Sequence, residues 1–164
     1  MSAGIGAHIR RQAISNAFFN TLINGWVAWL LIKENPVLPL WGAPSVAVDL
    51  VATGFLLPFI IALIVIPLNR RDLRKGKFAV LRLDPSIPLH RWLGPWPRSL
   101  PLRALLFGLI GALVVAPLTI LVFVVLGIDP IAPMHFAVFK GFWAGALAGV
   151  MVVPMATLAL ATPD

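Results

Sequence analysis

The chain contains no cysteine. That excludes a disulfide framework and any thiolate-bound metal. Charge is nearly as scarce: only 12% of the 164 residues are charged, and six of them are acidic. A soluble domain carries about 25% charged residues. Catalytic signatures are missing too. There is no HExxH, no GxSxG, no phosphate-binding glycine loop and no pair of neighbouring carboxylates. Asp72 and Asp84 lie in a basic segment without the spacing of a Mg²⁺–phosphate site. The three histidines, His8, His90 and His135, are too dispersed to share a metal or a haem. A non-enzymatic protein with no metal and no cofactor is expected.

What the chain does have is apolar sequence. It is 60% hydrophobic, with a mean hydropathy of +0.95. Residues 13–32, 50–69 and 104–127 carry no charge at all, and 136–163 carries only Lys140. A lipid-spanning helix needs about 20 such residues. The pattern therefore predicts an all-α polytopic membrane protein with four transmembrane helices. Too little polar sequence remains to coat a soluble domain of this size. The first apolar run has no small-residue cleavage site before Lys33 and Glu34, so it is read as a retained span rather than a signal peptide.

Positive charge is concentrated in one place. Between the second and third runs lie Arg70, Arg71, Arg74, Lys75, Lys77, Arg82, Arg91 and Arg98, with Arg103 at the mouth of the third. Arg10 and Arg11 precede the first run, whereas "GIDPIAPMH" between the third and fourth has no Lys or Arg. The positive-inside rule then puts both termini in the cytoplasm of a bacterial inner-membrane, multi-pass protein. The basic segment lies beside a membrane and carries no nucleic-acid motif, so its partners are expected to be lipid headgroups. Arg70, Arg71, Arg74, Lys75, Arg91, Trp92 and Trp96 are the candidate headgroup contacts, and Arg103 is expected to snorkel to the same layer. Five prolines between residues 85 and 101 argue against a long helix there.

Displacing the sequence by 87 residues sets Gly54 against Gly141, Phe55 against Phe142 and Pro67 against Pro154. Each half has a long span, a proline-containing loop and a second span with a "VIP" or "VVP" step. One membrane domain, 1–164, would thus comprise a first helical hairpin at 13–67, a basic loop at 68–100 and a second hairpin at 101–160. An even number of spans per unit makes such repeats parallel. The second span of the first half, "LLPFIIALIVIPLNRR", with Pro58, Pro67, Arg70 and Arg71, resembles small bacterial membrane proteins built from helical hairpins and known only as a domain of unknown function. The second half keeps Pro154, but it sets Gly145 opposite Pro58 and lacks the closing arginines. The resemblance implies a hairpin fold and no chemistry.

Within the spans two patterns stand out. The first is polar. Asn16, Asn20 and Asn24 recur every four residues and share one helix face. They either hydrogen-bond across to a neighbouring helix or line a polar track formed by Asn20, Asn24, Asp49, Thr53 and Lys140. Lys140 can snorkel to the outer interface or pair with Asp49, and such a pair would be a functional-site candidate. The second pattern is small residues. Gly141, Gly145 and Gly149 on the last helix, and Gly108 and Gly111 on the third, form surfaces for close helix approach. Pro58 and Pro117 fall within spans, and Pro58 deprives the Gly54 carbonyl of its helical partner.

The expected function is that of a structural or accessory subunit of a membrane assembly, a homo-oligomer or a hetero-complex, with the glycine face of the last helix as docking surface. The alternative is a small oligomeric transporter or channel that uses the polar track.

Overall fold

The computed structural model describes residues 3–42 and 45–161. These form six α-helices and one π-helical turn: α1 (Ala3–Ile32), α2 (Val46–Arg74), α3 (Pro88–Leu93), α4 (Leu100–Ile110), the π turn (Gly111–Val115), α5 (Ala116–Val125) and α6 (Pro133–Ala161). The segment α4–π–α5 runs as one rod, Leu100–Val125. Among the described residues three helices are long and apolar enough to cross a membrane: α2, this rod and α6. The 30-residue α1 has the length, but its asparagines and its basic first turns separate it from the other three in apolarity.

Two helices outrun their apolar stretches. The apolar run starts at residue 13, yet α1 begins at Ala3, because Ile5 and Ile9, one turn apart, are both buried in the core. Pro67 does not end α2, which continues to Arg74. The start of α2 is capped by the Ser45 hydroxyl, which accepts from the Val48 N–H at 3.3 Å. In the third rod, Pro117 supplies no N–H and its ring crowds the preceding turn. The chain responds by widening: the Ala116 N–H reaches back five residues to the Gly111 carbonyl.

Helix α6 is the centre. In its most apolar stretch 72% of residues are buried, against 39% for α2 and 33% for the third rod. It packs along α1 on one side and α2 on another, and α2 in turn packs on α4, the π turn and α5. Within each expected hairpin a loop joins the two long helices, but the main packing crosses between the two expected hairpins: α1 lies on α6, and the third rod lies on α2. The glycine face of α6, expected to dock a partner, is occupied by α1. A methyl group at Gly141 would lie 2.8 Å from the Thr21 carbonyl oxygen, one at Gly145 2.7 Å from that of Ala17, and one at Gly149 3.3 Å from that of Ala13. Three glycines one turn apart thus meet three carbonyls one turn apart, in antiparallel order. Close approach of this kind is where Cα–H···O contacts recur between helices.

The second seam is a crossing rather than a ladder. A methyl group on Gly111 would run into the Gly54 carbonyl, and one on Gly54 would lie 2.8 Å from the Gly111 oxygen. The Gly54 carbonyl, which Pro58 deprives of its helical partner, therefore faces a Cα–H of Gly111. Gly108 sits against the Phe55 ring.

The two ends differ. At one, the loops clip together: Leu38 and Ile131 exchange backbone hydrogen bonds at 2.9 and 3.0 Å, and Asp129 Oδ1 accepts from the Leu40 N–H at 2.9 Å. At the basic end the loop folds under α6, with the Leu81 N–H donating to the Leu160 carbonyl at 2.9 Å and with Leu81 and Leu93 buried. The headgroup expectation divides here. Arg71, Arg74, Lys75, Arg91 and Trp92 are exposed. Trp96 instead packs on Phe107 at 4.7 Å, and Arg70 donates to the Arg98 carbonyl. Arg103 does not snorkel: it is buried, with Nε donating to the Pro97 carbonyl. Loop carbonyls folded beneath the helices supply partners for Arg70 and Arg103. In the same loop, hydrogen bonds from Ser86 hold the Asp84 carboxyl below the usual carboxylate range.

Candidate functional site: an ion pair between α2 and α6

One turn after its Ser45 cap, α2 places Asp49 where the helix N-terminus favours a negative charge. Two turns into α6 stands Lys140, the single charge of its helix. Lys140 Nζ lies 2.6 Å from Asp49 Oδ1. The lysine side chain is 8% exposed and the aspartate 35%, so the cation is inside the helix packing and the anion at its edge. This resolves the two readings of Lys140: it turns inward to a partner. The other carboxylate oxygen, Asp49 Oδ2, is buried and has no hydrogen-bond partner among the described residues. An acceptor left bare in apolar surroundings is costly, and it is a ready landing point for one further donor. Apolar rings cluster beside the lysine: Phe136 is buried, and Phe139 packs on Phe123 at 4.9 Å.

One turn along α6 from Lys140, the Trp143 indole N–H donates to Thr119 Oγ1 at 2.9 Å, and that hydroxyl donates to the Val115 carbonyl at 2.8 Å. This chain ties α6 to α5 at the end of the π turn. Sequence reasoning overlooked the pair. The available signal was the three-residue spacing from Lys140 to Trp143, which puts both on neighbouring positions of one helix face.

The remaining expected track residues do not bond to the ion pair. Asn16, Asn20 and Asn24 donate to the carbonyls four residues earlier in α1, at 2.9, 2.9 and 3.0 Å. Asn24 also approaches Asn20 Oδ1 at 3.4 Å. No amide of the ladder reaches another helix among the described residues, so the interhelical-glue expectation is corrected: glycines already bring α1 and α6 too close for an amide to intervene. The asparagines flank that seam, half-exposed. Thr53 is half-exposed one turn below Asp49. Gly25, beside Asn24, meets Gly141, beside Lys140, with 3.4 Å from a methyl at Gly25 to the Gly141 Cα. Asn24 and the ion pair therefore share a depth.

The amide that does join helices is Asn69, fully buried at the basic end of α2. Its Nδ2 donates to Gln12 Oε1 at 3.0 Å and to the Val65 carbonyl at 2.8 Å, and its Oδ1 pairs with His8 Nε2 at 3.0 Å. That locks α1 to α2. Sequence reading missed it because His8 and Gln12 precede the apolar run.

These features define the class: a helical protein with three described helices capable of crossing a membrane, tied by glycine seams and one inward ion pair. Comparison of the chain with known protein families, curated proteins and solved structures finds no match to any of them.

Proposed function

We propose that the protein is a four-span, non-enzymatic accessory subunit of a bacterial inner-membrane assembly, docking another membrane protein through α1. Thirty residues of α-helix extend about 45 Å, against a hydrocarbon core of about 30 Å. A helix laddered along the apolar α6 shares its depth, which supports a fourth span. The charge asymmetry supports cytoplasmic termini. The exchanged packing supports a parallel repeat: α1 on α6 and the third rod on α2 are equivalent contacts if the halves are related by a two-fold axis. Kinship with the hairpin family of unknown function rests on Pro58, Pro67 and the closing arginines.

The observation that carries the docking reading is the asparagine ladder. Three carboxamides stand half-exposed on one flank of α1, bonded only to their own helix. Hydrocarbon gives the remaining amide groups nothing to bond, whereas a partner helix does. A photo-crosslinking residue at Asn20 should capture a protein in native membranes, and one at Leu121, exposed on α5, should not. Lipid-only adducts at both positions would end this reading. One observation favours transport instead: an inward-turned ion pair with a carboxylate oxygen that has no partner among the described residues. On that reading Asp49→Asn abolishes solute or proton flux in proteoliposomes while leaving assembly intact.

A further inference from the structure

We propose that the groove beside the first turns of α1 binds one anionic phospholipid molecule by its phosphate. The open groove offers about 780 Å³, within the span of about 300–1,000 Å³ usual for small-molecule sites. Its polar lining is His8, Arg10, Arg11 and Ser15. Toward the middle of α1 the lining becomes Ile14, Phe18 and Phe19, each more than half exposed. Cationic groups therefore sit at the basic end and apolar side chains continue in the direction of the bilayer core, the polarity order of a phospholipid.

The wall is built, not incidental. His8 is held between Asn69 of α2, at 3.0 Å, and the Phe78 ring, with centroids 4.6 Å apart. Phe78, from the basic loop, closes the groove below. Arg10 and Arg11 are exposed, and their side chains donate no hydrogen bond and form no ion pair among the described residues, so both guanidinium groups are available to a phosphate. Elsewhere at this end Arg70 and Arg103 are spent on loop carbonyls. A free phosphate would match the arginines but leave the aromatic half of the groove unused. The occupant is therefore a lipid. The inference rests on α1 entering the bilayer from the basic end. A reporter fused to the N-terminus tests that separately, since its appearance on the outer side would refute the span and not the groove.

The test is native mass spectrometry of the protein in mild detergent with phosphatidylglycerol, phosphatidylcholine or inorganic phosphate added. The wild type should retain one phosphatidylglycerol and little phosphatidylcholine. The double variant Arg10→Gln/Arg11→Gln should lose about tenfold or more in retention, as expected for two cationic contacts. Ala7→Trp, at an exposed lining position, should do the same by filling the groove with both arginines intact. Arg82→Gln/Arg98→Gln, which removes two exposed charges of the basic loop outside the groove, should change nothing. Undiminished retention in either α1 variant would overturn the site. So would an equal loss in the Arg82/Arg98 variant, which would mean diffuse charge, or displacement of the lipid by millimolar inorganic phosphate, which would mean a free-ion site.

Discussion

The two glycine seams solve the same problem differently. Along α1 and α6 an uninterrupted pair of helices repeats one contact at Gly141, Gly145 and Gly149, so the approach is shared over two turns. Between α2 and the third rod the approach is concentrated at Gly54 and Gly111, with Pro58 and a π turn beside it. A ladder needs only regular helices and small residues at a four-residue spacing. A crossing of backbones at one point needs local departures from the regular helix on both sides. The difference teaches that the proline of α2 and the π turn of the third rod form one device: the carbonyl that Pro58 leaves without a helical donor is the one facing Gly111.

This predicts an order of damage. Gly111→Leu should be the most severe change, because its side chain would enter the backbone of α2 and no flexible neighbour can yield. Overpacking typically costs about 1–3 kcal/mol and occasionally more, and the upper end or beyond is expected in thermal stability measured in one fixed detergent. A melting temperature within a degree of wild type would mean that the crossing is loose. Gly145→Leu should come next, since the ladder can splay and Thr21 can rotate. It should loosen α1 from α6 and lower the melting temperature without changing the number of chains in the native particle. Within the ladder, Gly149→Ala should be mildest, meeting the Ala17 side chain at 3.0 Å rather than a carbonyl at under 3 Å.

The seam between α6 and α2 has no glycine ladder: buried apolar side chains, among them Ile61, Val65, Met151 and Met155, fill it, and the ion pair crosses it. Lys140→Met and Asp49→Asn should each destabilise, and the double variant should be better than their sum by about 1–3 kcal/mol, because each single change strands the other group. Strict additivity in the same melting assay would show that the pair is not coupled. Asn69→Leu should cost about 1–3 kcal/mol by leaving His8 and Gln12 without their partner. It sharpens the comparison by testing whether α1 needs a polar lock in addition to its ladder. Asn24→Leu should have the smallest effect on the isolated protein, within about 0.5 kcal/mol, because its amide bonds its own helix. It should nevertheless weaken partner capture. A large stability loss would return the asparagines to a packing role.

Much of this molecule was legible in the amino-acid order. Charge-free runs marked α2, the third rod and α6 to within a few residues, apart from the overrun of α2 past Pro67, because exclusion of charge from an apolar core is a local compositional property. The four-residue spacing of Gly141, Gly145 and Gly149 marked a close-packing face, but not its occupant. Asp49 and Lys140 were recognisable as a possible pair from their similar depth. Hidden were the Asn69–Gln12–His8 lock and the inward turn of Arg103, since each depends on where a distant backbone segment comes to lie.

By itself the sequence determined that the chain is helical, that three of its four expected spans are helices suited to a bilayer, and that one segment is strongly basic. Hydrophobicity and charge act through composition, without reference to neighbours. Which helix lies on which was decided by tertiary structure. The preference of α1 for α6 over α2 rests on the match of three glycines to three carbonyls, a fit of shapes at a few tenths of an ångström. The direction of the asparagine amides, back onto their own helix, follows from that fit: once glycines had brought the two backbones together, no space remained between them for a side chain to cross.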